Sequence, residues 1–160
     1  MIAIGIENPD QPEVAVLLES SDAYMASLYP AESNHMLDMQ SLKRPEVVFL
    51  VARVDGEALG CGAVVDSGKG WAEIKRMFVS PAARGKRLGR QLLTKIESIA
   101  AGFGATVIRL ETGAKQPEAL SLYQSAGFVE IGPFGDYQPD PLSIFMEKPL
   151  TNAVARGPIC

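Results

Sequence analysis

A chain of 160 residues and 17.1 kDa, 47% apolar and 21% charged, has the make-up of one globular domain. That balance excludes a disordered chain, a collagen-like fibre and a disulfide-stapled miniprotein, and Cys61 and Cys160 supply no disulfide framework. A net charge of −4 and a pI near 5.0 argue against nucleic acid as a partner. No apolar run approaches the roughly 18 residues of a membrane helix. The segment Met1 to Glu7 lacks a basic leader and a cleavage site. The expectation is a cytoplasmic domain with no membrane partner.

Met1 to Glu7 reads as a strand. Apolar positions at Val14, Leu17, Leu18, Met25 and Leu28 then predict a helix from Pro12 to Tyr29, ended by Pro30. A second short helix is expected over Ser33 to Leu42. The valine-rich run Val47 to Val54 meets Asp55-Gly56, a strong turn signal, and Ala58 to Val65 returns as the other arm of a hairpin. Trp71 to Val79 is the third strand of the meander. From Gly85 the period changes: Leu88, Leu92, Leu93, Ile96 and Ile99 share one helix face, stopped by Gly102 and Gly104. A strand over Thr106 to Leu110, a helix over Pro117 to Ala126, and strands over Phe128 to Ile131 and Leu142 to Glu147 complete the order. The unit from Trp71 to Leu110 is a β-α-β crossover, so its two strands are parallel if adjacent. The expected fold is mixed α/β with a largely antiparallel sheet. Residues 1–149 form one domain and 150–160 a short tail.

Charge is unevenly spread. Lys75, Arg76, Arg84, Lys86, Arg87, Arg90 and Lys95 hold seven of the 15 Lys and Arg, with no Asp or Glu among them. On charge alone, a solvated helix face and a small-anion site are both open. The local pattern adds to the second. A strand ending at Val79 leads through small and basic residues straight into a helix, whose first N–H groups and positive dipole end suit phosphate oxygens. Gly85 and Gly89 leave the backbone uncovered. The loop is neither a Walker A phosphate loop nor the G-x-G-x-x-G turn of dinucleotide folds.

Arg84-Gly85-Lys86-Arg87-Leu88-Gly89 resembles the [Q/R]-x-x-G-x-[G/A] signature of the GNAT superfamily of N-acetyltransferases. Gln116 followed by Ala119, Tyr123, Gly127 and Phe128 is similar to that family's second signature, at the family's spacing. Two departures stand out: Arg87 replaces the usual glycine, and Gln116 the usual asparagine. The resemblance covers most of the chain. It implies a central sheet flanked by helices, with a splayed parallel pair of strands. Acetyl-CoA is then the co-substrate and no metal is required. Met77, Phe78 and Val79 would run along the pantetheine like an added strand. Arg84, Gly85, Lys86, Arg87, Leu88, Gly89 and Arg90 would surround the pyrophosphate, with Gln116 joining the cofactor-binding set. Dimers are common in the family, so a homodimer is an open expectation.

An alkylammonium of pKa near ~10 must lose a proton before it attacks. Glu73 occupies the position of the base in some branches of the family; the alternative is a carboxylate neutralised by Lys75 or Arg109. Tyr123 is the candidate acid for the leaving thiolate; the alternative is a core aromatic with a satisfied hydroxyl. Tyr29, Glu32 and His35 fall on the loop that shapes the acceptor pocket in the family. Tyr137, on the loop between the last two strands, walls the other side, and Glu111 either lines the pocket or pairs with Lys75. Cys61 is a core residue with nothing placed to activate it. The expected activity is transfer of an acetyl group to a primary amine of a small molecule, by direct attack in a ternary complex. The competing reading is a non-catalytic acyl-CoA-binding regulatory module.

Overall fold

The computed structural model describes residues 1–33, 36–83 and 85–150. Within them, one sheet contains β1 (Ile2–Ile6), β2 (Val47–Val54), β3 (Glu57–Asp66), β4 (Trp71–Val79), β5 (Val107–Gly113), β6 (Val129–Ile131) and β7 (Ser143–Pro149). The helices are α1 (Pro12–Leu28), α2 (Met39–Leu42), α3 (Leu88–Gly102) and α4 (Pro117–Ser125). Strand order is β1-β2-β3-β4-β5-β7-β6. Each neighbouring pair is antiparallel except β4 and β5, which run parallel through the α3 crossover. The fold is the expected mixed α/β arrangement.

Local chemistry sets the element ends. Asp55 and Gly56 take φ of 51° and 88°, the left-handed pair that a two-residue hairpin turn needs. Tyr29 is extended ahead of Pro30 and closes α1. The helix expected over 33–42 is shorter: α2 starts at Met39 because Asp38 caps it, its Oδ1 accepting from the Ser41 N–H at 2.8 Å. A 3-10 turn, Ala31–Ser33, precedes it. The third helix begins at Leu88 rather than Gly85, because Gly85 and Arg87 are left-handed, with φ of 83° and 55°. β5 runs on to Gly113, past the expected end at Leu110, because β7 pairs with it as far as Ser143.

Alternation along the strands divides the apolar residues between two layers. Leu50, Val64, Ile74, Ile108, Leu110 and Met146 meet α3 and α4 on one face. Phe49, Val51, Cys61 and Ala63 meet α1 and α2 on the other. Gly62 lets α3 lie close to β3, since a Cβ there would fall 2.9 Å from Ile96 Cδ1.

Candidate active site

The site begins where the parallel pair unzips. β4 and β5 pair from Trp71↔Val107 to Ile74↔Leu110, and no further. Against β3, Ala63 faces Lys75 but Cys61 faces Phe78, so β4 carries one extra residue opposite Gly62. This is a β-bulge, and Arg76 occupies it with φ of 55°. β4 then runs on to Val79 without β5 beside it, while β5 stays with β7. Met77 to Val79 therefore present a strand edge to the gap.

A cavity of about 540 Å³ fills that side. It is lined by Met77, Phe78 and Val79 of β4, by Gly85, Arg87, Leu88, Gly89 and Arg90 at the start of α3, and by Ala119 and Tyr123 of α4 with its N-cap Gln116. The first turn of α3 contains no acidic residue, so its positive end meets the cavity with basic side chains beside it. Gly89 has a packing reason as well: a Cβ there would stand 3.2 Å from Leu122, at the crossing of α3 and α4. Arg90 Nη1 donates to Ser125 Oγ at 3.0 Å, and Lys86 stands exposed on the loop. Arg84 lies outside the described residues.

A narrower cleft, about 90 Å³, occupies the apex of the gap. It is lined by Lys75, Arg76 and Met77 from β4, Glu111 and Thr112 from β5, and Tyr123 and Gln116 from the α4 segment. Glu111 and Tyr123 come from opposite faces of the sheet and meet here because the strands have parted. Beyond Lys75 a third space, about 700 Å³, is bordered by Glu32, Trp71, Glu73, Phe134, Tyr137 and Asp140. Ser33 Oγ donates to Asp140 Oδ2 at 2.7 Å, tying the 3-10 turn to the loop between β6 and β7.

Most of the expected site residues thus border one of three neighbouring spaces, which share lining residues: Tyr123 and Met77 between the first two, Lys75 between the second and third. Glu73 sits in the paired part of β4, and its Oε2 accepts from the Tyr137 hydroxyl at 2.6 Å. Lys75 Nζ lies 3.5 Å from the same oxygen and also donates to the Tyr137 hydroxyl. Arg109, the other expected partner of Glu73, bonds Glu147 at 3.0 Å. Burial, the Glu73 charge and the hydrogen bond to it all push the Tyr137 phenol upward. Tyr123 is 5% exposed. Burial, with the Glu111 charge adding, raises its phenol above the usual range, so the proton stays on. Glu111 Oε2 accepts from Ser143 Oγ at 2.8 Å.

Tyr29 is buried and lines none of these spaces; its hydroxyl accepts from the Lys115 N–H at 3.0 Å and donates to Gln116 Oε1 at 3.3 Å. Gly113 makes room for it, since a Cβ there would lie 1.8 Å from the Tyr29 oxygen. His35 lies outside the described residues. Cys61 is fully buried and its thiol is pushed up to about 12 by burial, which leaves it inert as a nucleophile.

As site residues, sequence reasoning passed over Ser21, Tyr24 and Met25 on α1, which line the larger cavity, and Arg76, which lines the narrower cleft. Nothing local marks the α1 residues, because their role comes from where the helix packs. Arg76 carried a faint signal as part of the basic pair Lys75-Arg76 in the strand run. Among the described residues no group of three or more His, Cys, Asp or Glu is placed to hold a metal ion. No helix among them is long and apolar enough to cross a membrane.

Comparison with known proteins gives a consistent result. The model of the acetyltransferase (GNAT) family matches residues 14–128. An "IAA acetyltransferase" of Azospirillum brasilense is 51% identical over 150 residues, spanning 93% of this chain and 98% of its own. A Klebsiella pneumoniae structure assigned as an acyl-CoA N-acyltransferase is 39% identical, with a TM-score of 0.80 over 94% of this chain and 99% of that one. The PaiA N-acetyltransferase of Thermoplasma acidophilum, solved with coenzyme A, shares the fold at 22% identity, with a TM-score of 0.70 over 93% and 99% of the two chains.

Proposed function

Because the chain belongs to the GNAT family of acetyltransferases, we propose that its acetyl-CoA-dependent activity is directed at a primary amine of a small molecule, which attacks the thioester without an acyl-enzyme intermediate. The observation that carries this reading is the unzipped β4–β5 pair. Around it lie a cavity with a basic helix start, a cleft lined by a carboxylate and a phenol, and, beyond Lys75, a partly aromatic space.

In this reading the diphosphate rests on Gly85 to Arg90, and the pantetheine adds as a strand to the edge of Met77 to Val79. The acceptor occupies the space bordered by Glu73, Trp71, Tyr137 and Glu32. Its proton passes to Glu73, held by Tyr137 and Lys75, or to Glu111 in the same cleft as Tyr123. Attack of the nitrogen on the thioester carbon forms the amide bond as the C–S bond breaks. Backbone N–H groups around the bulge oppose the developing oxyanion. Tyr123 gives the departing thiolate a hydrogen bond.

The test pairs calorimetry of acetyl-CoA and coenzyme A with thiol release measured over a panel of small amines. Micromolar uptake and amine-dependent thiol release are expected. Tight binding with no turnover on any amine would instead favour the regulatory module. Absence of binding would end both readings.

A further inference from the structure

Arg76 costs the fold free energy twice. It is a non-glycine residue in left-handed geometry, φ 55°, which disfavours any side chain. Its guanidinium is also withdrawn from water, at 5% exposure, with Nε lacking a hydrogen-bond partner among the described residues. A glycine would form this bulge without strain, and an apolar side chain would fill the space without desolvating a charge.

What the arginine does instead is clamp. Nη1 donates to Asp22 Oδ1 at 2.7 Å and contacts Met36 Sδ at 3.0 Å, and Nη2 donates to the Leu18 carbonyl at 3.2 Å. The Arg76 carbonyl is held from the other side by the Cys61 thiol at 3.4 Å. Asp22 and Leu18 belong to α1, the helix whose Tyr24 and Met25 line the cofactor cavity together with Met77 and Phe78 of β4. The clamp therefore joins α1 to β4 beside the apex of the gap.

We propose that Arg76 is a positioning residue for acetyl transfer: its withdrawn guanidinium, paired with the exposed carboxylate of Asp22 and bonded to the Leu18 carbonyl, fixes the β4 bulge against α1, and so sets the place of the thioester relative to the acceptor. The proposal rests on the acetyltransferase reading. The diphosphate rests at the start of α3, away from Arg76, so that part of the binding outlasts loss of the clamp. The reacting atoms do not, because a displacement of about 1 Å costs on the order of 100-fold in rate.

The test compares wild type with Arg76→Gly, Arg76→Lys and Asp22→Asn by steady-state kinetics, acetyl-CoA calorimetry and thermal melting. Glycine keeps the bulge geometry and removes the clamp, so Arg76→Gly is expected to lower kcat about tenfold or more with the acetyl-CoA Kd within about threefold. Arg76→Lys regains part of the rate by reaching Asp22. Asp22→Asn, which keeps the shape and removes the charge, falls between them. Wild-type kcat in Arg76→Gly overturns the proposal, as do losses in kcat, affinity and melting temperature that run in parallel across the set. Should Arg76→Gly fail to fold, Asp22→Asn decides: a reduced kcat at unchanged Kd supports the clamp, and an unchanged kcat refutes it. Failure of the acetyltransferase reading would show separately, as absent turnover in the wild-type enzyme.

Discussion

Tyr123 is held on α4 with its ring edge-on to Phe128, centroids 5.6 Å apart, so its aim into the cleft is set by packing. A phenol that keeps its proton is a hydrogen-bond donor to a departing thiolate rather than a group that ionises ahead of it. Tyr123→Phe is therefore expected to lower kcat by about 100-fold while the acetyl-CoA Kd changes less than about twofold, measured by thiol release and calorimetry. Glu73→Gln and Glu111→Gln are each expected to slow turnover with binding retained. The variant that also loses the acidic limb of the kcat/KM profile identifies the base. Position 87 bears on the cofactor side. Arg87 adopts φ 55° at the N-cap of α3, the geometry for which the family's usual glycine is suited. Arg87→Gly should raise stability by about 1 kcal/mol in denaturant melts. The same change removes a cation from the cavity and should weaken coenzyme A binding. Equal affinity at low and high salt in wild type and variant would remove Arg87 from the phosphate site. The departure at 87 was legible in the sequence; its conformational cost was not, since φ depends on how the loop joins the helix.

The helices and strands owe their placement to a few ties between them. Arg53 on β2 reaches Glu7, just past β1, at 2.9 and 3.0 Å, and Glu13 in the first turn of α1 at 3.7 Å. The hydrogen bonds from Arg53 lead the causes that hold the Glu7 carboxyl below the usual carboxylate range. A lowered folded-state pKa contributes stability that is complete above the ordinary carboxylate value near 4.5 and is lost as pH falls through the folded-state value. Melting temperature should thus drop below about pH 4.5, with a shallower drop in Glu7→Gln; the exposure of the pair keeps the effect small. Periodicity revealed nearly every element here, because each buries one face against a neighbour. Their ends moved where a cap or a ladder intervened, as at Asp38 and at Gly113 beside β7.

The molecule as a whole is a sheet opened on one side, with helices on both faces and cavities bordering the opening. Such a gap leaves strand edges and apolar walls without partners, and a bound cofactor supplies them. Saturating coenzyme A should raise the melting temperature, by about 2.7 kcal/mol of stability at 100 times Kd, and the gain should shrink with added salt if phosphate contacts dominate. A gain independent of salt would shift the binding energy from the phosphates to the pantetheine groove.

The amino-acid order by itself determined the succession of elements, the strand-loop-helix turn at Gly85 to Gly89, and Tyr123 within its motif. Those are short-range properties, written in periodicity and in residue types that neighbours along the chain must satisfy. The end of the β4–β5 ladder at Ile74↔Leu110, the bulge at Arg76, and the meeting of Glu111 with Tyr123 were decided in three dimensions. Each depends on register between segments far apart in the chain, and register follows from how whole faces pack, not from any local run of residues.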